Sequence, residues 1–166
     1  MGTLIKVNEV EAFISPTPPH VPVLACHLED GRSFYLYYVP VEIVIAINNM
    51  MGGGYVVDRE SLYDILMLFR DEIVNVMRKR IERVIVDEIN PETLLYSATV
   101  EIRADGVLIK RKMVPSHAIY LALLAGKDIY VDKKLVDQQE RIREKVRRPL
   151  EAVSYTHLTL PTTERV

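Results

Sequence analysis

His117 is the side chain best suited to chemistry in this sequence. It stands in Pro115-Ser116-His117, where a proline opens a helix, so the imidazole falls in the first turn, beside backbone N–H groups with no partner inside the helix. A group that titrates near neutrality suits proton transfer at such a place, and Ser116 adds a hydroxyl next to it. The same two residues also fit a plainer arrangement, with Ser116 capping the helix and His117 packing at its edge. Glu42 follows Pro40 in the opening turn of another expected helix, where a carboxylate is either a proton acceptor or simply a partner of the helix dipole. Glu60 and Asp64 are four residues apart, a spacing that puts two carboxylates on one helical face, able to share a cation or merely face water. Arg59, just before them, carries a planar fork that matches phosphate, although it serves equally as the partner of a nearby acid.

Other reactive types are sparse. The sequence has no H-x-x-x-H or D-x-D pattern and no tight acidic cluster, so no metal-ligand set is read from spacing. Cys26 is the only cysteine; it excludes a disulfide framework and a cysteine zinc site, and its apolar surroundings predict a buried small hydrophobe. His20 and His27 have no ligand spacing between them. The basic groups are Arg78-Lys79-Arg80 with Arg83, Lys110-Arg111-Lys112, and Arg141, Arg143, Lys145, Arg147 and Arg148. Each offers phosphates a local positive surface, and each is interleaved with acids that predict salt-bridged, solvated faces instead. A net charge of -2 leaves no broad basic field, so any nucleic-acid contact must be local.

The elements that carry these residues follow from periodicity and turn chemistry. Thr3 to Ile14 reads as a strand, closed by the rigid Ser15-Pro16-Thr17-Pro18-Pro19. Val21 to Leu28 and Arg32 to Val39 form a hairpin about Asp30-Gly31, and Thr93 to Ile102 with Val107 to Met113 a second about Asp105-Gly106. Between them, Pro40 opens a helix with Ile43, Ile47 and Met50 at helical spacing, ended by Gly52-Gly53-Gly54. Asp58 is placed as N-cap of a second helix whose stripe is Leu62, Ile65, Leu66 and Phe69, continued by Ile73, Val76 and Met77; Ile81 to Ile89 then reads as a strand. A helix from Pro115 to Ala125, closed by Gly126, is apolar nearly all round, which predicts burial or an oligomer contact. Asp128 to Asp132 reads as a short strand, and a charged helix over 133–148 carries Leu135, Ile142 and Val146 as a narrow stripe. The fold class expected is α+β: a mixed, largely antiparallel sheet built from two hairpins and packed with three to four helices, in a single domain over 1–151.

Three of these stretches resemble the bifunctional nuclease domain family. They are Val39-Pro40-Val41-Glu42-Ile43-Val44-Ile45-Ala46-Ile47, then Arg59-Glu60-Ser61-Leu62-Tyr63-Asp64-Ile65-Leu66, and Val114-Pro115-Ser116-His117-Ala118-Ile119-Tyr120-Leu121-Ala122-Leu123 with Asp128-Ile129-Tyr130-Val131 after it. The resemblance spans about residues 3 to 137. It departs at three positions: Tyr63 stands where the family has a histidine, Glu60 where it has a proline, and His117 where it has an aspartate. The resemblance implies cleavage of DNA and RNA, with Glu42, Asp64 and His117 as catalytic candidates and Arg59 and Ser116 as substrate contacts. A divalent cation such as Mg²⁺ or Mn²⁺ is compatible with that chemistry. The alternative is a non-catalytic oligomeric binding or assembly protein of the same fold, built through the Pro115 helix and the Leu135, Ile142 and Val146 stripe.

Composition changes after Glu151. Val153-Ser154-Tyr155-Thr156-His157-Leu158-Thr159-Leu160-Pro161-Thr162-Thr163 resembles the translation of a sequencing adapter, so 152–166 is read as an artefactual tail and His157 is set aside. Met1 to Val10 has neither signal- nor transit-peptide character, and no run approaches the roughly 20 apolar residues of a spanning helix. The expectation is a cytoplasmic protein, a homo-oligomer with DNA or RNA as possible partner and no membrane association.

Overall fold

The computed structural model describes residues 2–153, with side chains described as far as Val146. The chain runs β1 (Leu4–Ile14), β2 (Pro22–Leu28), β3 (Ser33–Tyr37), α1 (Val41–Met50), α2 (Leu62–Leu68), α3 (Arg70–Arg80), β4 (Ile81–Ile89), β5 (Tyr96–Ala104), β6 (Val107–Met113), α4 (Pro115–Ala125), β7 (Ile129–Asp132) and α5 (Lys133–Val153). All seven strands form one sheet in the order β3-β2-β1-β7-β4-β5-β6, and β4 with β7 is its parallel pair. The α+β class and both hairpins stand as expected. At Asp105-Gly106 the two φ values are 52° and 79°, the pair a two-residue hairpin turn requires. Among the described residues the helices number five where three to four were expected, because Phe69 interrupts the second one and divides α2 from α3. The last helix also runs past 148, and the adapter-like tail lies, beyond Val153, outside the described residues.

Alternation builds the core. Ile5, Val7, Val10 and Ala12 on β1 share a face with Leu24, Cys26, Phe34 and Leu36 on β2 and β3, and with Val84, Val86, Ala98, Val100, Ile129 and Val131 on the other half. Against this face pack Ile43, Val44 and Ile47 of α1 and Ala118, Ile119, Tyr120 and Ala122 of α4. Cys26 is fully buried, and burial pushes its thiol up to about 12, so the small-hydrophobe reading holds.

The sheet curls strongly. Phe34 of β3 meets Tyr96 of β5 edge to face, with ring centroids 5.0 Å apart. In a flat sheet the intervening strands would hold them roughly 24 Å apart at about 4.8 Å per strand. The outer edge of β3 is covered by α5, whose buried Gln139 accepts from the Tyr35 backbone N–H at 2.8 Å and donates to its C=O at 2.9 Å. At the opposite margin β6 remains an open edge that carries Lys110, Arg111 and Lys112. Among the described residues no helix is long and apolar enough to cross a membrane.

Candidate functional site

Three helix starts bring the chemistry together. In α1 the chain turns at Pro40 and places Glu42 in the first turn, exposed. In α2 the cap is Ser61, not Asp58: the Ser61 hydroxyl accepts from the Asp64 N–H, and the Asp64 carboxylate accepts from the Ser61 N–H at 2.9 Å and from its hydroxyl at 3.0 Å. Ser-x-x-Asp before the helix closes its own capping box, a stronger local arrangement than a lone Asp58 three residues earlier. Glu60 consequently precedes the helix, so the expected Glu60 and Asp64 pair on one helical face does not form. In α4 the N-cap is Val114 with no side-chain cap, so Ser116 is not the cap; it is buried instead.

Tyr63 and His117 meet where α2 faces α4. The Tyr63 hydroxyl lies 3.1 Å from His117 Nε2, and the two rings stand edge to face. Tyr120, one turn beyond His117 and fully buried, donates its hydroxyl to the Tyr63 backbone C=O at 2.6 Å and packs its ring against Tyr63, centroids 5.1 Å apart. Two aromatic side chains at i and i+3 on α4 thus grip one residue of α2, its ring from one side and its backbone from the other. Burial raises the Tyr63 pKa, and the negative charge of Glu42 raises it further, so the phenol holds its proton and α1 makes its presence felt at the pair. Tyr120 is pushed up to about 12, first by burial and then by Asp64 and Tyr63, with Arg70 opposing.

The candidates of the sequence therefore separate. His117 contacts Tyr63, whose phenol also feels the charge of Glu42, and the Asp64 carboxylate is committed to the cap. Ser116 sits buried next to His117. Arg59 is exposed ahead of α2 and forms no hydrogen bond or ion pair among the described residues. Tyr120 and Arg70 were not singled out by sequence reasoning. The i, i+3 spacing of His117 and Tyr120 was the available signal for the first, and Arg70 carried none, because its relevance comes from the break at Phe69. His20 and His27 make local contacts, His20 Nδ1 to the Ser15 carbonyl at 2.9 Å and His27 to Ser33 and Glu11, in keeping with an incidental role.

Among the described residues no group of three or more His, Cys, Asp or Glu side chains is placed to hold a metal, so the donors here do not fit a resident cation. The basic groups divide by environment. Arg83 binds Glu101 at 2.7 Å, Lys110 lies 3.9 Å from the same carboxylate, and Lys112 binds Glu88 at 2.7 Å, the salt-bridged surface expected of that group. Arg78, Lys79 and Arg80 end α3 without an ion pair among the described residues. Arg143 stacks over the Tyr35 ring at 4.4 Å and lines a recess of about 470 Å³ with Phe13, Val23 and Tyr37, on the face of the sheet away from α1 and α4. Compared with known proteins, the chain matches no family model and no curated relative.

Proposed function

We propose that the protein is a cytoplasmic nuclease that hydrolyses phosphodiesters of DNA or RNA at the Tyr63 and His117 pair. The observation that carries this reading is the 3.1 Å contact itself. It joins the two positions at which the resemblance to the bifunctional nuclease domain family expects a histidine and an aspartate, so an acid-base pair of one kind stands where a pair of another kind is expected.

The chemistry follows from the protonation states. With Nε2–H donating to the phenol oxygen, Nδ1 is free to act as base, and the phenol's own proton is free to be given away. Water attacks phosphorus and forms the new P–O bond while its proton passes to Nδ1. The bond from phosphorus to one bridging oxygen breaks, and that oxygen leaves with the Tyr63 proton. The imidazolium then returns its Nε2 proton to the phenolate, and exchange with solvent moves the proton left on Nδ1 back to Nε2, restoring the starting tautomer and the phenol. The opening turn of α4 offers positive potential to the phosphorane.

The test is cleavage of single- and double-stranded DNA and RNA by the purified protein, with and without Mg²⁺ or Mn²⁺. The expected result is activity that falls about 100-fold or more in His117→Ala, in the usual range for loss of an acid-base group, and less in Tyr63→Phe. Wild-type cleavage no greater than that of His117→Ala would remove the proposal. A second reading, a non-catalytic oligomeric binding protein, draws support from the inward turn of the Asp64 carboxylate and from the lack of a metal-donor group among the described residues. It predicts retention of an oligonucleotide without cleavage, unchanged in His117→Ala.

A further inference from the structure

The face of the sheet turned away from α1 and α4 holds a recess that the Tyr63 and His117 pair does not use. Strand register builds it. Phe13 of β1 stands beside Val23 of β2, and Val23 beside Tyr37 of β3; in the next row Glu11 and Tyr35 flank Ala25. With Arg143 of α5 these side chains line the cavity of about 470 Å³, a volume within the usual range for a small-molecule site.

Three different chemistries meet there. The Tyr35 and Tyr37 rings lie 6.0 Å apart and 23° from parallel, and Phe13 adds a third ring to the wall, so the cavity favours a flat aromatic partner. The Arg143 guanidinium sits over the Tyr35 ring at 4.4 Å and makes no hydrogen bond or ion pair among the described residues. Glu140, one turn before it, is turned to Arg32 instead. The guanidinium N–H groups are therefore unspent, in a fork that matches phosphate. Glu11 accepts from His27 Nε2–H at 3.0 Å through one carboxylate oxygen, which leaves the other to the cavity as an acceptor.

We propose that this recess binds a nucleotide, its base stacked against Tyr37 and Phe13, a base N–H donated to Glu11, and its phosphate held by Arg143. A hydrocarbon ligand would leave both charged groups unmatched, and an inorganic anion would leave the rings unmatched. A nucleotide answers all three, whether free or as one unit of a single strand.

The experiment is calorimetric titration of the full chain with adenosine monophosphate, adenosine and inorganic phosphate, with circular dichroism of every variant. Adenosine monophosphate is expected to bind saturably with a Kd below about 1 mM, and adenosine and phosphate each about tenfold more weakly or worse. Arg143→Ala is expected to weaken the nucleotide about tenfold, to the level of adenosine. Tyr37→Leu is expected to weaken it by about tenfold or more. His117→Ala is expected to bind it as the wild type does, so the recess and the nuclease reading stand or fall separately. In that same variant, an oligodeoxyadenylate that binds more tightly than the monophosphate assigns the recess to a strand, and one that binds more weakly assigns it to a free nucleotide. No saturable binding, phosphate alone as tight as the nucleotide, or an affinity indifferent to Arg143→Ala would each overturn the site. Should Tyr37→Leu fail to fold, Arg143→Ala decides.

Discussion

Two helical regions of this molecule are rich in apolar residues and meet opposite fates. In α4 the residues Ala118, Ile119, Tyr120, Ala122 and Leu124 are all but inaccessible to solvent, the helix lying between the curled sheet and its neighbours. In α2 and α3 none is fully buried, and the outward row is left open. From composition alone α4 was the candidate for an oligomer contact, because a helix apolar all round needs cover on every side. The fold supplies that cover from within the chain. The surplus apolar surface is instead on the helices that look amphipathic, since a stripe wide enough to follow both Leu66 and Ile65 cannot all face one core. Amphipathicity read from spacing locates an apolar face, and only the packing partners show how much of it the domain itself can cover.

Substitutions on the two regions measure that difference. Ile119→Ala in α4 is expected to lose about 3 kcal/mol in urea unfolding, the usual cost of emptying a fully buried site. A loss below about 1 kcal/mol would mean that α4 is not enclosed as described. Tyr120→Phe cuts the tie between the two regions, leaving the Tyr63 carbonyl without its donor; a loss of about 1 to 2 kcal/mol is expected. It should also loosen the phenol at His117, visible as a shift of the His117 ring protons by NMR, whereas a purely structural Tyr120 would move stability alone. Val76→Ala, at concentrations where the chain is monomeric, is expected to change stability by less than about 0.5 kcal/mol. A larger loss would place Val76 inside the monomer core and end the contrast.

The smallest effect is a control outside both regions. Asp137 is held down to about 2 by Lys133 and Arg32, below its usual 3.8. The folded state therefore binds fewer protons than the unfolded state between these values, and the contact stabilises above about pH 4 and fades as pH falls toward 2. Asp137→Asn should flatten the acid limb of stability in that window, the variant being slightly less stable than the wild type above about pH 4 and equal to it near pH 2. If the acid limb is unaltered, the ion pairs of Asp137 contribute nothing measurable.

Much of the scaffold was legible from short-range rules. The Asp-Gly turns demand positive φ and declare both hairpins, and Gly126, at φ 69°, ends α4 in the left-handed conformation that glycine tolerates best. Pro40 and Pro115 mark their helix starts within a residue. What escaped depends on contacts distant in the chain. The cap moved to Ser61 because Asp64 answers it, and Tyr120 joined the candidate site because α2 crosses its hydroxyl. Of the candidate residues, Glu42 and His117 were found by type and position, while the partner that unites them, Tyr63, was visible only as a departure from a family pattern. The curl that joins Phe34 to Tyr96 leaves no local signature at all, since neither residue differs in sequence context from one in a flatter sheet.

Gln139 gives the domain a handedness in its social behaviour. By supplying both a donor and an acceptor to Tyr35, it imitates one residue of a neighbouring strand, so a stray extended peptide finds the β3 margin already taken. Among the described residues the β6 margin is the one left to recruit a further strand, and there Lys110 and Lys112 are turned to Glu101 and Glu88. End-to-end growth of sheets into fibrils is thereby refused at one end by occupancy.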